Sequence, residues 1–233
     1  MTTRTVGTTV ERAVSARGLE LMLGATPVLR GVDVELARDE VTALMGPSGS
    51  GKSTLLHCLA GILVPDTGSV QVLGESLADL GEKDRARLRL RRMGFVLQGG
   101  ELVPELTLAE NVALPLQLLG TPHRLAMERA TTMLGSVGLG GAGDRRTGEV
   151  SGGESQRAAV ARALVHEPEI VFADEPTGAL DTVNGEQVLE LLLSSSRERG
   201  AGVLLVTHDH RIAAHADRVL VMRDGRIVQE SPA

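Results

Sequence analysis

One short segment of the chain combines closely spaced glycines with a lysine and a hydroxyl side chain. Residues 46–53, GPSGSGKS, match the pattern G-x-x-x-x-G-K-[ST] at every defined position. Glycines let backbone N–H groups crowd around phosphate oxygens, Lys52 supplies a mobile cation for the β and γ phosphates, and the Ser53 hydroxyl can ligate Mg²⁺. The segment predicts a phosphate-binding loop whose nucleotide contacts are Gly46, Pro47, Ser48, Gly49, Ser50, Gly51, Lys52, Ser53 and Thr54.

Two adjacent acids form the second candidate site. Residues 170–173, IVFA, predict a buried strand, which ends in Asp174 and Glu175. If this strand ends beside the phosphate loop, Asp174 lies near the Mg²⁺. Glu175 points in a different direction and can polarise the attacking water as a general base. The loop alone would fit a GTPase, a kinase or a transporter ATPase.

A serine followed by two glycines begins another predicted helix, about twenty residues before the acidic strand. Residues 150–157 are VSGGESQR, and a helix start of this kind presents hydrogen-bond donors to an anion. Here the chain resembles the ABC ATPase family, whose signature is Leu-Ser-Gly-Gly-Gln. Val150 replaces the leading Leu, and Glu154 stands in the last place. The resemblance implies that Ser151, Gly152, Gly153 and Glu154 contact a nucleotide held by a second ATPase subunit.

Three smaller motifs extend the resemblance, which runs from about residue 19 to residue 229. Gln98 matches the glutamine loop and would contact Mg²⁺ or water, Asp181 matches the aspartate loop at the dimer interface, and His208 matches the switch histidine that contacts the γ-phosphate. The family therefore implies that ATP and Mg²⁺ are bound and that Glu175, His208 and Gln98 are catalytic. It further implies that Ser53, Gln98 and Asp174 serve the metal.

The elements that must position these residues follow from apolar runs. Short runs at 40–45, 93–97, 170–173 and 203–207 are separated by long helical segments, which is typical of a parallel sheet covered on both faces. The resemblance implies an α/β fold: a phosphate-loop, RecA-like ABC ATPase core with an N-terminal antiparallel β region and a helical subdomain at about 99–164. We expect residues 1–15 to form a flexible tail and residues 16–233 a single ABC ATPase domain.

Composition restricts the partners. The formal net charge of −6 argues against a nucleic-acid-binding protein. The basic stretch at 83–92, KDRARLRLRR, is interpreted as the solvated face of a helix, with a contact surface for an acidic partner or lipid headgroups as the alternative. One cysteine, Cys58, excludes a disulfide framework. No 18 uncharged apolar residues run together, so we expect no part of the chain to span a membrane. The family resemblance implies a separate integral-membrane permease, which would anchor the chain peripherally on the cytoplasmic face.

The position at which the family usually stacks an aromatic residue on adenine falls on Leu23. The chain has no Tyr and no Trp, and its two Phe residues belong to other predicted strands. Stacking contributes on the order of 1 kcal/mol. We therefore expect weak discrimination between nucleotide bases.

Residues 101–107, ELVPELT, and 110–116, ENVALPL, are similar to the ATPases of lipoprotein-release and macrolide-export systems. The helical insertion would then hold a groove for the permease's coupling helix. The expected function is an ATP-hydrolysing subunit that couples dimer closure to a permease of export or extrusion type, with a homodimer expected and a heterodimer left open. The alternative is an ABC ATPase that acts on a membrane protein as a mechanical switch, without transport, as in cell division.

Overall fold

The computed structural model describes residues 11–97, 101–178, 180 and 182–232. Its strands, in chain order, are β1 (Arg12–Leu23), β2 (Thr26–Ala37), β3 (Val41–Met45), β4 (Thr67–Val72), β5 (Glu75–Ser76), β6 (Met93–Val96), β7 (Ile170–Asp174), β8 (Gly202–Val206), β9 (Arg218–Arg223) and β10 (Arg226–Pro232). Its α-helices are α1 (Lys52–Leu59), α2 (Glu82–Arg92), α3 (Leu108–Leu118), α4 (His123–Ser136), α5 (Gly152–Leu164), α6 (Thr182–Arg197) and α7 (His210–Ala213).

The central sheet is mostly parallel and has the order β10-β9-β3-β8-β7-β6. Every residue of β3, β7 and β8 is buried, because one apolar core covers each face of the sheet. This double burial explains why these strands are uninterrupted apolar runs in the sequence. The register pairs Leu44 and Asp174 with Val206. The segments that follow β3, β7 and β8 therefore leave the sheet at one edge.

A second, antiparallel sheet, of order β2-β1-β4-β5, lies at the N-terminal side, as the family resemblance implied. The tail predicted for residues 1–15 is too long, because β1 begins at Arg12 and buries Ala13 and Val14 completely or nearly so. Two arginines of this strand, Arg12 and Arg17, pair with Glu35 on β2. Long antiparallel pairing orders a segment whose local composition is polar. Residues 1–10 lie outside the described part.

The segment between β6 and β7 contains α3, α4 and α5, which share a separate apolar core that includes Leu108, Val112 and Leu134. Helix α3 begins at a capping box, in which Thr107 accepts a hydrogen bond from the Glu110 backbone and the Glu110 carboxylate accepts one from the Thr107 backbone. The predicted helical subdomain starts at residue 99, which lies outside the described residues.

The basic stretch forms α2, in which Leu88 is the one buried residue. Glu82 pairs with Arg85 and Arg89, so part of the positive charge of α2 is neutralised within the helix.

Strands β4 and β5 have no counterpart in the sequence prediction, since the β4 sequence, TGSVQV, is short and half polar. Cys58 is buried, and burial raises the pKa of its thiol to about 11, which agrees with a packing role. No helix in the described ranges combines the length and apolar character needed to cross a membrane.

Candidate active site

The phosphate loop connects the end of β3 to the start of α1. Gly46 has φ +148°, and a Cβ atom there would lie 2.1 Å from the backbone oxygen of Met222 on β9. A side chain at this position is therefore excluded by strain and by contact. Gly49 and Gly51 also have positive φ, at +77° and +104°. The glycines thus allow a tight strand-to-helix turn that is packed directly against the sheet.

The polar groups of this loop fit a phosphate. The Lys52 ammonium donates to the carbonyl oxygens of Gly46 and Pro47 at 2.8 Å and 2.9 Å, and no carboxylate in the described residues pairs with it. The Ser50 hydroxyl is buried and has no hydrogen-bond partner within the described residues. A free donor and a cation held only by carbonyl groups both favour an anionic ligand at the start of α1.

Asp174 lies beside the loop, as predicted from the strand that precedes it. The Ser53 hydroxyl donates to Oδ2 of Asp174 at 2.7 Å, and Asp174 is 8% exposed. A hydroxyl and a carboxylate in direct contact are both oxygen ligands of the kind Mg²⁺ takes. These two residues fit a Mg²⁺ ion, which they would hold beside the phosphate loop.

Glu175 and His208 form a hydrogen-bonded pair at the same edge of the sheet. His208 Nδ1 donates to Oε1 of Glu175 at 2.6 Å, and the His208 backbone N–H donates to the same oxygen at 3.1 Å. This hydrogen bond, followed by the carboxylate charge, raises the pKa of His208. Because Nδ1 faces the carboxylate, Nε2 remains available for another partner.

The backbone of Glu175 is held in the left-handed region, with φ +49°. For a residue with a side chain this conformation is strained, and it persists only where the surroundings impose it. The Glu175 N–H donates to Val206 at 2.9 Å, and the Thr207 hydroxyl donates to the Glu175 carboxylate at 3.4 Å. Thr207 was given no role in the sequence analysis, although it is the last residue of the strand predicted at 203–207 and directly precedes His208.

Ser151 caps α5 at an exposed position. Its hydroxyl accepts from the Glu154 backbone at 3.2 Å, and the Glu154 carboxylate accepts from the Ser151 backbone at 2.8 Å. Arg145 donates to the same carboxylate at 3.1 Å. These hydrogen bonds, first that of the Ser151 backbone, lower the pKa of Glu154. The Glu154 side chain is thus occupied in ordering the helix start, where Gly152 is exposed and Gly153 is half-buried.

The structure therefore brings together the phosphate loop, Asp174, Glu175 and His208, and leaves the Ser151 segment on the exposed start of α5. No hydrogen bond joins Ser151 to the phosphate loop among the residues that the structure describes. Gln98 and Asp181, predicted to contact Mg²⁺ and the dimer interface, lie outside the described residues.

Comparisons with known proteins agree with this geometry. The ABC transporter family matches residues 29–178. A lipoprotein-releasing system ATP-binding protein LolD of Hydrogenovibrio crunogenus is 46% identical over 206 residues, which cover 88% of this chain and 90% of that protein. The LolD 2 protein of Caulobacter vibrioides is 43% identical over 218 residues, covering 92% and 96%. The dimeric ATP-binding cassette MJ0796, bound to ADP and phosphate, matches with a TM-score of 0.88 at 33% identity, covering 94% and 98%.

The fold and the site define an ATP-hydrolysing cassette, and the chain belongs to the ABC transporter family. Within that family it resembles the lipoprotein-release branch, as predicted from residues 101–116. The predicted RecA-like fold is likewise confirmed. The chain is an ATPase subunit of a transporter.

Proposed function

We propose that the chain couples ATP-driven closure of a homodimer to a separate integral-membrane permease of the export type, on the cytoplasmic face of the membrane. One observation carries the proposal. The 2.6 Å contact between Glu175 and His208 lies at the same sheet edge as the phosphate loop, while the capped start of α5 is exposed. Such a chain holds one half of two different sites. A second copy, facing it head to tail, completes both.

Each residue then has a defined task in hydrolysis. Glu175 accepts a proton from the attacking water as the water oxygen bonds to the γ-phosphorus and the bond to the bridging oxygen of ADP breaks. His208 keeps Nδ1 on Glu175 and donates from Nε2 to a γ-phosphate oxygen. Lys52 neutralises charge on the β and γ oxygens. Ser53 and Asp174 would hold Mg²⁺, which supplies further positive charge to the phosphates.

The permease contact is assigned to a groove between the two lobes of the chain, here called the lobe groove. Its lining comes from α2, β6, α3 and α5, and consists of Ala86, Arg89, Leu90, Met93, Phe95, Pro115, Arg162, Ala163 and His166. A mostly apolar groove whose lining also includes Arg89 and Arg162 suits an amphipathic helix of a partner. The names of the LolD relatives, which refer to lipoprotein release, favour export over import.

The catalytic half of the proposal is tested with Glu175→Gln. This variant keeps the shape of the side chain but loses the base, so it should bind ATP, form a dimer that persists in size-exclusion chromatography, and hydrolyse ATP about 1000-fold more slowly. Gln187→Glu, at an exposed position of α6 outside the site, is the matched control for an amide–acid exchange. Normal turnover of Glu175→Gln would disprove the assignment of the base.

The membrane half is tested by copurification from detergent extracts of the native membrane, with the bound proteins identified by mass spectrometry. The expected partner is a protein with membrane-spanning segments, whose recovery falls when Leu90→Glu is introduced into the lobe groove. Recovery of the same partner with this variant, at the same yield, would remove the lobe groove from the proposal.

A further inference from the structure

The loop that carries Glu175 is attached to helix α5 by a buried side chain. Gln156 lies in the second turn of α5 and is 1% exposed. Its Nε2 donates to the backbone oxygen of Pro176 at 2.9 Å. Pro176 directly follows Glu175 and is itself buried. One hydrogen bond therefore joins the helix that starts at Ser151 to the residue next to the proposed base.

This hydrogen bond completes a set that fixes the loop at successive peptide groups. The Glu175 N–H donates to Val206 at 2.9 Å, and the Glu175 carbonyl accepts from Gly178 at 3.1 Å. Proline has no N–H, so the carbonyl is the one backbone hydrogen-bonding group that Pro176 offers. Gln156 occupies that group. The strained φ of Glu175 is thus imposed from β8 on one side and from α5 on the other.

We propose that Gln156 is a positioning residue for Glu175, through which the placement of α5 controls hydrolysis at the protomer's own phosphate loop. This inference rests on the proposed function, in which the Ser151 end of α5 meets the nucleotide held by the second protomer. A displacement of α5 moves the Pro176 carbonyl and with it Glu175. The occupancy of one site of the dimer is then transmitted to the base of the other by a single buried amide.

A complementation assay separates this role from a role at the Ser151 end. Ser151→Arg and Lys52→Ala are expected to be inactive when each is tested alone, because each homodimer lacks one part of both sites. A mixture of the two contains a mixed dimer with one intact site. In that site the Ser151→Arg protomer supplies the phosphate loop and Glu175, and the Lys52→Ala protomer supplies Ser151. ATP hydrolysis by the mixture reports on that site alone.

Gln156→Met, which keeps the side-chain length and removes the N–H donor, is then placed in one protomer or the other. In the protomer that supplies Glu175 it should lower kcat about 10- to 100-fold, with KM for ATP changed less than about threefold. In the protomer that supplies Ser151 it should change kcat less than about threefold. Gln156→Leu, which also has no hydrogen-bond donor, should repeat both results if Gln156→Met folds poorly.

Ser196→Ala is the matched control, because it removes another buried hydrogen bond, from Ser196 to the Leu192 carbonyl at 2.7 Å, far from the loop. It should lower the melting temperature and leave kcat unchanged. A loss confined to the protomer that supplies Ser151, equal losses in both protomers, or no loss in either would each overturn the inference. Full activity of Ser151→Arg on its own would instead contradict the shared site of the proposed function, and the inference with it, because Ser151 would then serve neither site.

Discussion

The contact between Gly46 and β9 predicts that the first glycine of the phosphate loop cannot be replaced. In Gly46→Ala the new Cβ would lie 2.1 Å from the Met222 oxygen, so a gap of more than about 1 Å must open between the loop and the sheet. Backbone strain at φ +148° adds to this contact. Together the two effects should lower the free energy of unfolding by about 4 kcal/mol.

Gly49→Ala is the matched comparison within the same loop. Gly49 has φ +77°, but no atom lies within 4 Å of a Cβ built there. Only the strain remains, at about 1 kcal/mol. In thermal unfolding without nucleotide, Gly46→Ala should therefore lose about 10 °C and Gly49→Ala about 3 °C.

Hydrolysis should be affected by the same displacement. A shift of about 1 Å in the groups that bind the phosphates corresponds to a loss of about 100-fold in kcat for Gly46→Ala. Equal melting temperatures for the two variants would refute the argument, because they would show that the loop is not packed against Met222 as the structure has it.

Three further predictions concern the binding of Mg²⁺, the recognition of the nucleotide base and the effect of pH. Ser53→Ala should raise the Mg²⁺ concentration needed for half-maximal hydrolysis about tenfold; Ser48→Ala, in the same loop, is the control, and an unchanged Mg²⁺ dependence would remove Ser53 from the metal site. Leu23 is 49% exposed and Phe95 stacks on Phe172, so no aromatic side chain is available at Leu23 to stack on the nucleotide base. ATP and GTP should therefore bind alike, and Leu23→Tyr should tighten ATP binding about fivefold. A strong ATP preference of the unmodified chain would contradict this. Because Glu175 raises the pKa of His208, their ionic contact should be complete below the ordinary His pKa of 6.5 and be lost as pH rises through the raised value. In an NMR titration, the midpoint of His208 should be lower in Glu175→Gln than in the unmodified chain. An unshifted midpoint in both proteins would exclude the contact in solution.

The catalytic edge of the sheet could be predicted because buried parallel strands are recognisable in the sequence as short apolar runs. Each run ends at or directly before the site: β3 ends at Met45, before the phosphate loop; β7 ends at Asp174; and β8 ends at Val206, before Thr207 and His208. Since parallel strands end at one edge, the order of these runs already predicts which side chains meet. The details of the meeting, such as the 2.6 Å contact of His208 with Glu175, depend on strand register.

The antiparallel region and the Gln156 contact could not be predicted in the same way. Residues 12–15 are ordered by pairing with the C-terminal end of β2, which is distant from them in sequence: Arg12 lies opposite Ala37. Gln156 stands in a helix between Ser155 and Arg157, where a polar residue is normally exposed. Its burial results from the packing of α5 beside the loop after β7, which no local pattern of the sequence contains.

The contacts of Lys52 and Ser53 have a consequence for the affinity of the site. Both side chains already have partners within the protein, at 2.7 to 2.9 Å, so at these two residues a nucleotide replaces existing hydrogen bonds. The net gain is the difference between two sets of interactions, which keeps a single protomer's hold on the nucleotide moderate. After hydrolysis the same internal partners compete for the lysine and the serine. We therefore expect these internal partners to favour the departure of ADP and the return of Lys52 and Ser53 to the contacts described here.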